Sequence, residues 1–187
     1  MSKASSPDPP PGRVLILTGP PGAGKTTAAR RLAEQAGHGA HLHGDDFMDY
    51  IRSGFIEPWR PESRQQNLTL SRALAAACFS FAAGGYLAVL DWIVGPWFLD
   101  VYRAEARRTG LGLDYVLLRP SEALAERRAR DRTERPIADY APMRPLYAQL
   151  ADVGELEPHV IETSDLSLDE TLEAIRAGLA EGRFRLV

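Results

Sequence analysis

The sequence predicts an α/β fold in which about five parallel strands carry helices on both faces. Short continuous apolar runs, such as RVLILT at 13–18 and YLAVLD at 86–91, are typical of strands buried on both sides. Longer segments with helical spacing of apolar residues, such as 25–36, lie between these runs. Because strands and helices alternate along the chain, the sheet is predicted to be parallel.

The elements follow one another in a regular order. The predicted strands are 13–18, 38–44, 86–91, 114–119 and 159–164. The predicted helices are 25–36, 64–83, a segment after Gly95 and Pro96, 121–132, 142–152 and 166–182. Parallel sheets bind ligands at the carboxyl ends of their strands. The first site candidates are therefore the residues at or just beyond those ends, which are Lys25, Asp45, Asp91 and Arg119.

Length and charge limit the classes of protein that are compatible with the sequence. The 187 residues suit one domain, which we place at 12–187 after a Pro- and Ser-containing tail at 1–11 that is predicted to be disordered. The net charge of -3 gives no electrostatic reason to expect nucleic acid as a partner. We expect a monomer or a homodimer.

Cysteine content and hydropathy predict a cytoplasmic protein that does not enter a membrane. The first residues contain no apolar stretch of the kind found in secretory signals. The uncharged run at 73–90 approaches the length of a membrane span, but Gly84 and Gly85 divide it into a helix and a strand. The single cysteine, Cys78, excludes an internal disulfide and is interpreted as a small buried residue.

The segment GPPGAGKTT at 19–27 matches the phosphate-binding loop pattern G-x4-G-K-S/T, between a predicted strand and a predicted helix. Its backbone N–H groups and the helix N-terminus would bind phosphate oxygens. Lys25 would contact the outer phosphates, and the Thr26 hydroxyl would bind Mg²⁺. Only two of the 22 Lys and Arg residues are lysines, Lys3 and Lys25. The predicted nucleotide-binding residues are Gly19, Pro20, Pro21, Gly22, Ala23, Gly24, Lys25, Thr26 and Thr27.

The stretch HLHGDDF at 41–47 places two adjacent aspartates at the end of the second predicted strand. We interpret Asp45 as the base that accepts the proton of an acceptor hydroxyl during phosphoryl transfer. Asp46 would hold a water on Mg²⁺, bind the substrate or cap a helix that starts near Phe47. Two alternatives remain. One is a metal site built from His41, His43 and Asp45, and the other is a solvated turn that contains both aspartates. More simply, His43 would pack or form a hydrogen bond near the site.

A third acidic residue, Asp91, ends the strand YLAVLD and is a candidate Mg²⁺ ligand through water. The alternative is a turn residue with no functional role. The predicted magnesium ligands are therefore Thr26, Asp46 and Asp91. Trp92 and Trp97, which follow, either line an acceptor pocket or belong to the core.

These motifs, together with WRPESRQQN at 59–67, resemble a group of small P-loop kinases. The group comprises AAA_33-like, gluconate-kinase-like, shikimate-kinase-like and chloramphenicol-phosphotransferase-like proteins, and bacterial ATP-binding members with the H-x-D-D and W-x-P-x-S-x-Q-Q-N patterns are the most similar. The resemblance covers nearly the whole chain from residue 12. It implies a P-loop NTPase three-layer sandwich, with ATP and Mg²⁺ as cofactors, and an aspartate after the second strand that serves the substrate hydroxyl.

The resemblance also implies a short lid whose arginines close over the transferring phosphoryl group. The segment 123–136 contains five arginines: Arg127, Arg128, Arg130, Arg132 and Arg135. Arg128 and Arg132 are favoured because a spacing of four places them on one helix face. The planar guanidinium binds phosphate oxygens in a bidentate manner. The alternative is a solvated helix with internal Glu–Arg pairs.

Together these features predict an ATP-dependent phosphotransferase that acts on a hydroxyl of a small molecule, such as an antibiotic or another metabolite. A nucleoside monophosphate kinase is a second possibility, because GDDFMDYIRSG loosely resembles the corresponding run of adenylate kinases. A nucleotide-dependent regulatory ATPase without an acceptor is a third, although it gives the arginine segment no role.

Overall fold

The structure, a computed structural model, describes residues 12–133 and 136–187. The strands are β1 (Arg13–Thr18), β2 (Gly39–His43), β3 (Leu87–Asp91), β4 (Gly112–Arg119) and β5 (Val160–Glu162). The α-helices are α1 (Lys25–Gln35), α2 (Gly44–Asp49), α3 (Arg64–Ala83), α4 (Pro96–Thr109), α5 (Glu122–Asp131), α6 (Arg144–Ala151) and α7 (Leu168–Ala180). The strands pair in parallel in the order β2-β3-β1-β4-β5. The predicted α/β fold, with five parallel strands and helices on both faces, is confirmed.

Alternation along the buried strands divides the core into two layers. In β1, Val14 and Ile16 face one side of the sheet, and Leu15 and Leu17 face the other. Helices α3 and α4 cover the first side, whereas α1 and α7 cover the second. All four β1 side chains are fully buried, which explains why the strand is a continuous apolar run.

Cys78 lies in the core on α3, as the sequence analysis predicted. Burial raises the pKa of its thiol to about 12, so the thiolate is not available as a nucleophile or a metal ligand. Of the two tryptophans near β3, Trp92 is buried and Trp97 is partly exposed. Among residues 12–133 and 136–187, no helix combines the length and the apolarity that crossing a membrane requires.

The end of β2 differs from the prediction. The helix expected near Phe47 begins at Gly44, directly after the strand. A side chain at position 44 would overlap the Trp92 ring, because an added Cβ would lie 2.3 Å from its Cγ. Glycine therefore lets the chain turn tightly against Trp92 and puts Asp45 and Asp46 in the first turn of α2. A capping role for Asp46 at Phe47 is excluded because the helix has already started there.

Arg119 ends β4 but serves the structure rather than the site. Its guanidinium donates two hydrogen bonds to Glu157, at 2.9 and 2.8 Å, and one to Glu162 at 2.8 Å. It also donates to the backbone oxygen of Ala151 at 2.8 Å. The hydrogen bonds from Arg119 are the main reason that the pKa of Glu157 is lowered to about 2. Arg119 thus joins the end of the sheet to the segment between α6 and β5.

We expect the Glu157→Gln variant to be less stable than the native protein at pH 7, by about 1 kcal/mol or less because the pair is partly exposed. The lowered pKa stabilises the fold above the ordinary value of 4.5, and this stabilisation is lost as the pH falls towards 2. Urea unfolding at several pH values should therefore show that the difference in unfolding free energy between the native protein and Glu157→Gln becomes smaller in acid. Exposed Glu155→Gln is the control, and a difference independent of pH would contradict the prediction.

Candidate functional site

A cleft of about 710 Å³ lies at the carboxyl edge of the sheet. It brings together the end of the loop at 19–27, the start of α2, the end of α5 and the start of α7. Most of the predicted site residues line it. These are Gly22, Ala23, Gly24, Lys25, Thr26, Thr27, Asp45, Asp46, Arg128 and Arg132. Gly19, Pro20 and Pro21 are buried and do not line the cleft.

The loop at 19–27 is packed against the neighbouring elements by backbone contacts. Gly22 has φ +84°, and an added Cβ would lie 2.0 Å from the backbone oxygen of Ala125 on α5. The Tyr140 hydroxyl donates to the backbone oxygen of Pro21 at 3.1 Å. Gly24 precedes α1 in a left-handed conformation. The loop therefore delivers Lys25 and Thr26 to the first turn of a helix, where the backbone N–H groups are free to bind an anion.

Lys25 lies among both acidic and basic groups. Its ammonium donates a hydrogen bond to the backbone oxygen of Pro20 at 3.1 Å. Burial lowers the pKa of Lys25, the charges of Asp91 and Asp45 oppose that effect, and Arg132 adds to it. An anion in the cleft would favour the charged ammonium, as expected for a lysine that binds phosphate.

Asp91 lies beneath the cleft rather than in its wall. Its side chain is almost fully buried and accepts a hydrogen bond from His43 Nδ1 at 2.8 Å. Burial opposes ionisation, but the imidazoles of His41 and His43, the Lys25 ammonium and the Thr26 hydroxyl hold the pKa of Asp91 well below its usual range. The Asp91 hydrogen bond in turn raises the pKa of His43, against the opposing effect of burial.

His43 connects the two acidic groups of the site. Its Nε2 lies 4.0 Å from Asp45 Oδ2, while its Nδ1 faces Asp91. Asp45 is half-buried and Asp46 is exposed. The parallel register places His43 directly opposite Asp91. That register, which the sequence analysis did not assign, is the signal that would have paired the two residues.

The two favoured arginines both reach the cleft, but from different backbone environments. Arg128 is in the last turn of α5, whereas Arg132 follows the end of the helix with an extended ψ of 143°. The prediction that these two residues share a helix face is therefore wrong, although both arginines line the same cleft. Arg127 and Arg130 do not line it, and Arg130 pairs with Glu126. Arg135 lies outside the described residues, as do Lys3 and the tail at 1–11.

The WRPESRQQN stretch has a structural role that the sequence analysis did not foresee. The Gln66 side chain forms two hydrogen bonds with the backbone of Ile56. Its Oε1 accepts from the N–H at 2.8 Å, and its Nε2 donates to the carbonyl oxygen at 2.6 Å. Asn67 and Ser63 both donate to the backbone oxygen of Pro58 at 2.8 Å. These side chains fix the loop before α3, and they leave Trp59 half exposed at its surface.

Several cleft residues were missed by the sequence analysis. They are Arg30, Leu118, Thr133, Leu168 and Thr171, and the cleft also includes Thr163 and Leu166 of the loop that follows β5. Thr163 is buried, and its hydroxyl has no hydrogen-bond partner in the structure. These residues belong to ordinary polar or apolar segments, so only the folded chain shows that they share a cavity.

Comparison with known proteins identifies the family. The family model AAA_33, described as an AAA domain, matches residues 14–156, which is more than half of the chain. The chain belongs to the AAA_33 family. The group resemblance inferred from the sequence motifs is thereby confirmed. No curated protein sequence matches the chain.

Solved structures share the fold of this AAA_33 protein at low sequence identity. The Mycobacterium tuberculosis APS kinase in complex with AMPPNP and APS is 21% identical, with a TM-score of 0.65 over 92% of this chain and 99% of that chain. The Deinococcus radiodurans tunicamycin resistance protein is 21% identical, with a TM-score of 0.64 over 89% and 95%. The Acinetobacter baumannii shikimate kinase in complex with shikimate is 22% identical, with a TM-score of 0.61 over 91% and 93%.

Proposed function

We propose that this protein is an ATP-dependent phosphotransferase that moves the γ-phosphoryl group to a hydroxyl of a small molecule. The observation that carries the proposal is the composition of one cleft. It combines a lysine on a phosphate-binding loop, a half-buried carboxylate and two arginines. Phosphoryl transfer needs these groups together, because it depends on positioning and on neutralising charge. A regulatory ATPase would not require the carboxylate beside the arginines.

In this proposal the loop at 22–27 binds the phosphates of ATP. Its backbone N–H groups and the start of α1 contact the phosphate oxygens, and Lys25 binds the outer phosphates. The apolar side chains of Leu118, Leu166 and Leu168 lie along the same cleft and offer a surface for the base. The charge of Lys25 is supported by Asp91 and Asp45.

The donor set beside Lys25 fits Mg²⁺, which prefers oxygen ligands and retains several waters. The Thr26 hydroxyl is one of the groups that lower the pKa of Asp91, and Thr26 and Asp46 line the same cleft. Thr26 would hold the ion directly, with Asp46 and Asp91 acting through water. When bound, the ion would neutralise charge on the phosphate oxygens. The protein's own groups perform the remaining steps.

The oxygen of the acceptor hydroxyl bonds to the γ-phosphorus while the bond from that phosphorus to ADP breaks. Asp45 accepts the proton that the hydroxyl loses. The carboxylate lies at the cleft edge, and His43 beside it is held by Asp91. Arg128 and Arg132 stabilise the charge that spreads over the transferring group. The kinases of the same fold whose names specify APS and shikimate support a small-molecule acceptor.

Release of ADP from Mg-ATP, measured with and without acceptors, tests the proposal. The panel contains sugar acids, nucleosides, nucleoside monophosphates, aminoglycosides, phenicols and nucleoside antibiotics. We expect one class to stimulate turnover and to gain a phosphoryl group, detected as the mass of the product. Stimulation by nucleoside monophosphates alone would favour a nucleotide kinase. Slow turnover that no acceptor changes, but that a protein partner accelerates, would favour the regulatory ATPase.

The arginines give a further prediction. Arg128→Ala and Arg132→Ala are each expected to lower acceptor-dependent turnover by about 100-fold, because each removes a donor that stabilises the transferring charge. The affinity for ATP should fall much less, since the loop at 22–27 is unchanged. Steady-state kinetics and ATP titration measure the two effects. Arg127→Ala, an exposed neighbour on α5 that does not line the cleft, is the control. Unchanged turnover in both variants would remove the arginines from the mechanism.

A further inference from the structure

Three side chains at the ends of β2 and β3 form a group of potential metal ligands, and its two histidines have no part in binding ATP or Mg²⁺ in the proposed function. The ligand atoms of His41, His43 and Asp91 all lie within 4.8 Å of one another. Among residues 12–133 and 136–187, this is the one such group of three or more His, Cys, Asp or Glu side chains. Two adjacent strands of the sheet hold it, because alternation puts both histidines on one side of β2 and the register sets Asp91 opposite His43.

One nitrogen in the group lacks a partner. His41 Nε2 is inaccessible to solvent and forms no hydrogen bond in the structure. Its nearest acidic neighbour, Asp91 Oδ2, is 3.7 Å away, which is too long for a hydrogen bond. A buried polar atom without a partner is costly, and an ion is one of the few groups that satisfy it.

We propose that His41, His43 and Asp91 bind a divalent transition-metal ion such as Zn²⁺. Two imidazoles and one carboxylate are the donor set such ions select, whereas Mg²⁺ prefers oxygen atoms alone. The ligating atoms would be His41 Nε2, His43 Nδ1 and Asp91 Oδ2. The ion takes the place of the proton on His43 Nδ1: an imidazolium releases that proton to solvent, whereas a neutral ring binds the ion as the Nε2–H tautomer.

The distances suit this ion. Ligand atoms on a tetrahedral Zn²⁺ lie about 3.3 Å apart, given bonds of about 2.0–2.2 Å. In the structure Asp91 Oδ2 is 2.8 Å from His43 Nδ1 and 3.7 Å from His41 Nε2, so one distance is shorter and one longer than required. Shifts of about half an ångström satisfy both. The fourth position is left for water, as in open zinc sites.

Beyond the three ligands, the surroundings supply a carboxylate beside His43 and a route from solvent. The other nitrogen of His43, Nε2, lies 4.0 Å from Asp45 Oδ2. A carboxylate facing the free nitrogen of a ligating imidazole fixes its tautomer and orientation. His43 also lines the cleft, so an ion reaches the group from solvent without unfolding of the sheet.

Zinc binding to tag-free protein, treated with a chelator and without nucleotide, tests the inference separately from the proposed function. Calorimetric titration should show one Zn²⁺ per chain, and Co²⁺ should give the visible absorption of a four-coordinate site. His41→Gln should weaken Zn²⁺ binding by at least about 100-fold. His43→Gln should do the same, so the test survives if one variant fails to fold.

The matched control is His38→Gln, five residues before His43 and exposed, with its ring beside Tyr86. It should bind Zn²⁺ as the native protein does. Absence of binding to the native chain would overturn the inference. Equal affinity in correctly folded His41→Gln and His43→Gln would overturn it too, as would loss of binding in His38→Gln. None of these outcomes bears on phosphotransfer, which is measured in separate assays with Mg-ATP.

Discussion

Replacing Lys25 with alanine is expected to lower phosphotransfer by about 1,000-fold, the scale for loss of a group that stabilises transition-state charge. The chain has no lysine elsewhere in residues 12–187, so no other compact ammonium can substitute for it. Lys25→Arg should fail as well, since the larger planar guanidinium does not occupy the same position. ADP release and single-turnover transfer measure the effect.

The control for Lys25 is Arg31→Ala, an exposed cation on the same helix that does not line the cleft. It should retain native turnover, because its charge is remote from the phosphates. Near-normal activity of Lys25→Ala, with the fold intact, would refute the assignment of the loop at 19–27 to nucleotide binding.

Replacing Asp45 with asparagine is expected to cut transfer by about 100-fold or more, because the amide cannot accept the hydroxyl proton. ATP affinity should remain close to native, since Asp45 belongs to α2 rather than to the loop at 22–27. A rapid-quench measurement of transfer, combined with ATP titration, separates the two effects.

The neighbouring variant Asp46→Asn makes the assignment specific. It should raise the Mg²⁺ concentration needed for half-maximal activity, yet it should preserve the rate at saturating Mg²⁺. If Asp46→Asn instead shows the large loss of rate and Asp45→Asn does not, the proton acceptor is Asp46. Native rates in both variants would remove α2 from the chemistry.

The fold was largely predictable, because its signals are local and agree with one another. RVLILT forms a strand buried on both faces, and the helix predicted at 64–83 is observed as α3 with the same bounds. Errors arose at element ends. Gly44 starts a helix earlier than expected because of Trp92, which lies 48 residues away in sequence. A contact between residues so far apart in sequence cannot be predicted from the local pattern of apolar residues.

The site was predictable where a motif fixes several residues at once. The glycine loop and the aspartates after β2 do so, and both reach the cleft. The contact between His43 and Asp91 depends instead on the register of two strands. Gln66 and Asn67 belong to the WRPESRQQN motif that supports the kinase resemblance, yet their amides form hydrogen bonds with backbone groups of the preceding loop. A polar side chain in a motif thus does not reveal whether its partner is a ligand or the chain itself.

The close approach of Gly22 to α5 couples the phosphate-binding loop to the position of the arginines on that helix. The backbone at position 22 meets the backbone of α5 at Ala125, and Ala125 and Ala129 are both fully buried. Because these contacts are with backbone atoms, no change of side chain on α5 makes room for a Cβ at position 22, and a larger residue there would displace the helix. Arg128 lies on this helix and lines the cleft, so the glycine of the loop also sets how closely the guanidinium approaches the phosphate-binding residues.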